Sequence, residues 1–390
     1  MKHWGLLLVV IISAVSGLKA QAITGIDFSH LYRTDADVTF RLKAVRQGQT
    51  TILLARLESN RKDILVSDYT VSWEQRASVN ARSGSDITAQ AREERSAERS
   101  VLIRLEVPTP AKTWFALARI THRSTKAEFF AYVSVEPNWP TVFYLDSEAD
   151  GPVTADFINT GSRFTIRGAE AAKKIFVFFY KKSFSPAPPP FATNTQAERF
   201  LRADSVFQVT DGIFIPSAGG LYLLQQDTVS AEGLSVWAGD APFPRFNRIS
   251  TLTGPMVYVT TGDEQQALKT VGQDKAKFDK IVLGITRDKE RAKAFMRAYF
   301  QRVEESNSLF TGFKEGWKTD RGMVRLVFGP PSEVSRTTNN EIWYYKDSRQ
   351  KFVFYRTGSV YEPMGYFLER SGSYTQTWYS TIDLWRKGRF

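Results

Sequence analysis

Two carboxylates and two histidines are the side chains of this sequence best suited, by type, to carry a reaction. Asp320 ends the run Gly316-Trp317-Lys318-Thr319-Asp320, and Glu341 opens Glu341-Ile342-Trp343-Tyr344-Tyr345. A pair of acids about 5 to 10 Å apart in an open cleft is what glycoside hydrolysis needs, one protonating the leaving oxygen and the other attacking or activating water. A polysaccharide-acting hydrolase using this carboxylate pair is the alternative reading, favoured if the fold brings Asp320 and Glu341 together in an open cleft. His30 and His122 lie in strand-rich surroundings with no acid and serine patterned around them, so triad chemistry and histidine metal sites are not expected. Cysteine is absent, which removes thiolate nucleophiles, disulfides, zinc–cysteine sites and a lipoprotein anchor together. Gly219-Gly220 has neither the spacing nor the lysine of a phosphate loop. No cofactor and no metal are expected, and no residue is assigned a catalytic role.

The elements that must hold these residues fall into three folded parts behind a leader. Lys2 and His3 precede a nearly uncharged run from Trp4 to Leu18, followed by small residues. That is the order of a secretory signal peptide over 1–20, and the run is shorter than the roughly 20 residues that span a bilayer. Cleavage is expected after Ala20 or after Ala22. No transmembrane segment is expected after it.

From 21 to 136 the pattern has period two, as in Val38, Phe40 and Leu42, then Tyr69, Val71 and Trp73. It continues in Val101, Ile103, Leu105 and Val107, in Trp114, Ala116, Ala118 and Ile120, and in Phe129, Ala131, Val133 and Val135. Alternation of this kind buries one face of each strand and predicts a β-sandwich. The polar stretch Ser78 to Glu98 reads as a long exposed hairpin or a mobile loop, with disorder favoured. Pro137 and Pro140 mark a boundary. A second β-sandwich is predicted over 140–250, with strands at 142–145, 164–167, 175–180, 221–225 and 234–237. It is interrupted by Pro186-Ala187-Pro188-Pro189-Pro190-Phe191, which either stiffens a surface loop or docks on an aromatic groove of a partner.

The third part, 253–390, begins with a helix capped by Thr261 and Glu264. A second helix is predicted over Asp288 to Asn307, with Ala292, Phe295, Met296, Tyr299 and Val303 forming its buried stripe. Thr319-Asp320-Arg321-Gly322 reads as a turn, with Gly322 at positive φ, leading into a strand of Val324, Leu326 and Phe328 that Gly329-Pro330-Pro331 stops. Strands at 341–345, 352–355 and 366–369 would complete a small antiparallel sheet. The fold class is therefore mainly β with a C-terminal α+β part: two β-sandwich domains, then helices packed on a small antiparallel sheet. Trp317 and Trp343 are expected as core plugs.

The chain carries 52 basic and 41 acidic residues, a net +11, and loss of Lys2 and Lys19 with the leader leaves +9. Export and the interspersion of acids among the basic residues argue against nucleic acid as a partner. A weak contact with an anionic membrane surface is compatible with the charge.

The combination of Gly316-Trp317-Lys318-Thr319-Asp320, Arg321-Gly322, the Gly329-Pro330-Pro331 stop and Glu341-Ile342-Trp343-Tyr344-Tyr345 resembles the signature of the GWxTD-domain proteins of the Bacteroidetes and related bacteria. The upstream order of exported β-domains and helices is similar too. The resemblance implies export and this domain order, and implies no reaction. The strand order around the Gly-Pro turn is also similar to the small outer-membrane lipoproteins of the β-barrel assembly machinery. The expected role is thus an exported cell-envelope scaffold or adaptor with envelope proteins as partners, periplasmic or secreted, with the outer membrane a surface it can associate with.

Overall fold

A computed structural model describes residues 21–168, 174–181, 184–193 and 201–389. The predicted signal peptide lies outside them. The first part is built from β1 (Val38–Gln47), β2 (Thr50–Ser59), β3 (Tyr69–Arg76), β4 (Ser85–Asp86), β5 (Ala91–Ala97), β6 (Ser100–Pro108), β7 (Trp114–His122) and β8 (Glu128–Val135). They form two antiparallel sheets, β1-β2-β6-β5 and β4-β3-β7-β8. The alternating residues of β1, β3, β6, β7 and β8 meet between the sheets, around a fully buried Trp73. Trp139, from the proline-flanked linker, closes this core and donates its indole N–H to the Ala44 carbonyl at 2.8 Å.

The stretch 78–98, expected as disordered, is ordered. Its β4 pairs with β3 and its β5 with β6, while Val79 and Ile87 are buried. The β5 residues from Arg92 onward are exposed, so an edge strand carrying charges leaves no apolar pattern to read.

The second part contains β9 (Tyr144–Ser147), β10 (Gly151–Pro152), β11 (Phe157–Asn159), β12 (Phe164–Arg167), β13 (Ile175–Tyr180), β14 (Ser205–Val209), β15 (Ile213–Phe214), β16 (Gly220–Gln225) and β17 (Leu234–Gly239). Its sheets are β10-β9-β12-β15 and β11-β17-β16-β13-β14, enclosing Phe143, Ile166, Val177, Phe214 and Leu224. The other face of the larger sheet is apolar as well. Tyr180, Leu221, Leu223 and Trp237 pack there with Phe313, Val360 and Tyr361 of the C-terminal part.

That last part holds α1 (Ile249–Leu252), α2 (Gly262–Lys269), α3 (Lys275–Thr286), α4 (Lys289–Phe310), α5 (Asp320–Phe328) and α6 (Thr375–Arg386) around the antiparallel sheet β18 (Glu333–Arg336), β19 (Asn340–Tyr345), β20 (Gln350–Thr357) and β21 (Gly365–Leu368). The Thr261/Glu264 capping box is formed, and Asp288 caps α4, whose Phe295, Tyr299 and Val303 are buried.

The segment after Asp320 corrects the sequence reading, because 320–328 is a helix and not a turn followed by a strand. Met323 and Val327 are buried alongside Val324 and Leu326, so the apparent alternation is one part of a helix buried nearly all round. Gly322 is helical and absent from the positive-φ positions. Gly329, at φ 84°, ends the helix.

Candidate functional site

The motif begins as a single 3-10 turn, Gly316–Lys318, and Thr319 then caps α5 by accepting the Gly322 N–H at 3.0 Å. Both glycines are there for close approach. A Cβ at Gly316 would lie 1.9 Å from the Ser306 carbonyl oxygen, and one at Gly322 would lie 1.7 Å from that of Gly316. The last turns of α4 clamp this corner with polar side chains. Asn307 Oδ1 accepts the Trp317 N–H at 3.2 Å, Thr311 Oγ1 accepts the Gly316 N–H at 3.0 Å, and Ser306 Oγ donates to the Gly322 carbonyl at 3.2 Å. Trp317 is buried against the edge of Tyr258. At the other end of α5, Arg302 donates to the Leu326 and Val327 carbonyls that the helix leaves unpaired, and its guanidinium lies over Trp385.

Asp320, in the first turn of α5, is paired with Arg370 at 2.6 Å and accepts the Leu368 N–H at 2.8 Å, which ties the helix to β21. Arg370 also donates to the Pro188 carbonyl at 3.2 Å. The proline-rich segment is therefore docked on this same chain. Ala187 N–H donates to the Lys318 carbonyl at 2.8 Å, the Pro190 carbonyl accepts the Ser371 N–H, and the Phe191 ring lies against Trp378 and Tyr379. An aromatic groove does receive it, and that groove is internal.

Glu341 is fully buried on β19. Its Oε2 accepts from Arg336 Nε at 2.7 Å and from the Tyr32 hydroxyl at 2.6 Å, and its Oε1 accepts the Trp343 indole N–H at 2.7 Å. Arg321 approaches the same oxygen at 3.7 Å. Burial by itself raises the pKa of such a group, yet the opposing pull of Arg336 and Arg321 and the hydrogen bonds from Tyr32 and Trp343 hold it below its ordinary value. It is a fixed anion. Tyr32 reaches it from an N-terminal strap in which the Phe28 N–H donates to the Val334 carbonyl and Asp27 Oδ1 accepts the Val334 N–H, each at 2.9 Å. Ile23, Ile26, Phe28 and Tyr32 belong to the C-terminal core, not to the sandwich that follows them in sequence.

Asp320 and Glu341 thus sit in two separate ion pairs, one with Arg370 and the other with Arg336. Trp317 and Trp343 are closed off from solvent. Gly329, followed by Pro330 and Pro331, stops α5 and gives its carbonyl to the Tyr345 hydroxyl at 2.9 Å. His30 is packed on Phe129, and burial lowers its pKa to about 4. His122 contacts Ser124 and the edge of Tyr69. Among the described residues no group of three or more histidines and acids could hold a metal ion.

Four residues of this region have no sequence signal that singles them out: Tyr32, Arg336, Glu362 and Arg370. Glu362 lies on the β20–β21 loop with its carboxyl over Gly312, where an added Cβ would come within 2.9 Å of it. Burial, with Asp156 and Asp320 adding to it against Arg321 and Lys314, pushes its pKa up to about 7. A cavity of about 500 Å3 opens beside it, walled by all three parts of the chain. No helix among the described residues is long and apolar enough to cross a membrane.

Residues 220–387 match the family model of the GWxTD domain. The match starts at β16, whose Leu221 and Leu223 pack on the C-terminal part. No curated protein matches the chain. Among solved structures, a chimeric titin Z1Z2-Z1Z2 tandem is 13% identical, covering 52% of this chain and 96% of its own, at a TM-score of 0.18. The IG1+IG2 fragment of DIP-gamma is 12% identical, with 53% and 98% covered and a TM-score of 0.18. The Escherichia coli adhesin FdeC is 11% identical, with 52% and 64% covered and a TM-score of 0.16. At such scores nothing is transferred from them.

Proposed function

From the premise that residues 220–387 are a GWxTD domain, we propose that the protein is an exported scaffold or adaptor of the cell envelope, periplasmic or secreted, that works by binding envelope proteins. The observation that carries this reading is a contrast between two sheet edges. At β5 the edge is blunted by Arg92, Glu93, Glu94 and Arg95, by a register shift between Glu93 and Arg95, and by Arg95 reaching the Glu148 carbonyl at 3.1 Å. Those are the devices that prevent edge-to-edge pairing. At β14 the edge exposes Val206 and Phe207, which are 51% and 40% accessible, and the strand pairs only with β13 among the described strands. An apolar open edge can accept an extended segment of a partner as a further strand. The motif residues other than Arg321 are taken up in holding parts of the chain together, which fits a scaffold that binds its partners at its surface.

Capture from crosslinked envelopes tests this, with the parent chain and a Val206→Lys, Phe207→Glu double variant side by side. A partner held by the parent and lost by a double variant that melts at the same temperature is expected. An identical set of captured proteins for the two chains would overturn the edge as the binding element. No specific binding of duplex or single-stranded nucleic acid is expected, and submicromolar affinity in physiological salt would contradict the reading.

A further inference from the structure

The cavity at the meeting point of the three parts contains a charge that the fold does not balance. Arg336 and Arg321 share one carboxylate, and Arg336 takes the near position at 2.7 Å. The Arg321 guanidinium donates no hydrogen bond to any described residue. Besides the 3.7 Å approach to Glu341 it has only ring faces, Tyr366 at 4.4 Å and Phe310 at 5.3 Å. Other basic groups on the cavity wall are matched, Lys43 by Asp156 at 2.9 Å, Arg33 by Asp35 at 2.8 Å and Arg41 by Glu58. The Tyr132 and Tyr366 hydroxyls and the Glu362 carboxyl also line the space or its rim without a hydrogen-bond partner among the described residues, and His30 Nε2 has none either. The remaining wall is apolar, with Phe40, Leu42, Phe129, Leu309 and Met364.

We propose that this cavity is a binding site for an organic acid, a carboxylate carried on an apolar body, with Arg321 as the group that receives the carboxylate. The size fits, since pockets for small ligands run from about 300 to 1,000 Å3 and combine apolar walls with a few convergent polar groups. A guanidinium presents a planar fork of donors that matches a carboxylate, and in a site screened from water this pairing is stronger than at a surface. Glu362 tunes it. The charged and titratable groups that face Glu362 are Arg321 and Asp320 from α5, Lys314 from the loop before it and Asp156 from the second sandwich. Protonated, the Glu362 carboxyl leaves the Arg321 charge available and can itself donate a hydrogen bond to the bound acid. Ionised, it repels the ligand and competes for Arg321. Affinity therefore falls as pH rises through about 7. The motif arginine gains a task that packing alone does not give it.

Two sources share this chemistry, a fatty acid released from lipid and the free C-terminus of a peptide. Calorimetric titration of the chain from Gln21 to Phe390 at pH 6.5 and pH 8 separates them, using decanoate against decanol and N-acetyl-Leu-Leu-Phe against its C-terminal amide. At least one acid is expected to bind tenfold or more tighter than its uncharged counterpart at pH 6.5 and to weaken severalfold at pH 8. Which acid does so identifies the source. Arg321→Gln, in a variant with the parent's melting temperature, is expected to abolish the preference for the acid. Glu362→Gln is expected to bind with an affinity that no longer changes between the two pH values. The proposal is overturned if neither acid outbinds its counterpart, or if a folded Arg321→Gln variant keeps the parent's affinity. Should Arg321→Gln not fold, a Glu362→Gln variant as pH-dependent as the parent overturns it.

Discussion

Trp73 and Trp343 are both fully buried, and the two regions around them are held together by different means. Trp73 lies between the sheets of the first sandwich against Phe40, and its indole N–H has no hydrogen-bond partner among the described residues. Trp343 gives its N–H to Glu341, which also receives Arg336 and a tyrosine from 309 residues earlier in the chain. The first region is stabilised by apolar area that any period-two strand supplies. The second buries an ionised group and depends on distant segments to satisfy it. A buried pair is not in itself a source of stability, because desolvation offsets the attraction, but removing one member leaves an unmatched charge. The C-terminal part should therefore be brittle where the sandwich is tolerant.

The largest expected effect comes from Glu341→Ala, which strands Arg336 and leaves the Tyr32 hydroxyl and Trp343 indole without their acceptor. A loss of about 3 to 5 kcal/mol is expected. Thermal unfolding of the variant checks it, and a transition within a degree of the parent's would show that the cluster contributes nothing. The next test compares the tryptophans directly through Trp73→Phe and Trp343→Phe. The lost ring area is similar in the two, so the Trp343 variant should be worse by the value of one hydrogen bond to a charged group, roughly 1.5 to 3 kcal/mol. Equal losses would erase the distinction between the two tryptophans. Asp320→Asn follows, at about 1 to 2 kcal/mol, since the amide oxygen still accepts the Leu368 N–H while Arg370 loses its counter-charge in a nearly buried setting. Had Asp320 only capped the turn that the sequence suggests at 319–322, the change would be milder, because the amide oxygen can accept the same backbone hydrogen bond. A variant as stable as the parent would restore that view.

The same contrast decides what was legible beforehand. The first sandwich could be read from Val38, Phe40 and Leu42 and their counterparts because the signal is local and each strand reports its own buried face. Helix α4 was readable for the same reason, through Phe295, Tyr299 and Val303. Helix α5 was not, because Val324, Leu326 and Phe328 alternate as the residues of a strand would, and a short apolar run does not declare its period. Helix α6, with Trp378, Ile382 and Trp385 buried, follows a serine- and threonine-rich stretch and was missed. The motif residues were recognisable as a set, yet their partners were not. Tyr32, Pro188 and Arg370 reach them from remote parts of the sequence, and no spacing rule connects positions so far apart. Glu362 looked like an ordinary loop acid, and only the closeness of Gly312 and the second sandwich makes it otherwise.

Glu362 offers the finest test, because burial brings its titration close to neutral pH. Its folded pKa of about 7 stands above the ordinary carboxyl value of 4.5, so the folded state holds the proton more tightly than the unfolded chain does. Below about pH 4.5 both states are protonated and the residue has no cost. Between that value and about 7 the unfolded chain releases its proton first, so stability falls as pH rises, and above 7 the cost is complete. Replacing the residue by glutamine removes the charge and keeps the shape. Glu362→Gln should therefore leave the melting temperature unchanged near pH 4.5 and raise it at pH 8, by about 1 kcal/mol equivalent, since water in the adjoining cavity relieves part of the burial penalty. The gain must grow through the window from pH 5 to 7. His30, held neutral with a pKa of about 4, runs in the opposite sense: its contribution is complete above about 6.5 and is lost as pH falls toward 4. Measuring the variant and the parent at matched pH cancels that term. A difference between them that is flat with pH, or one that grows toward acid, would place the Glu362 carboxyl in water and remove the titrating group from the cavity.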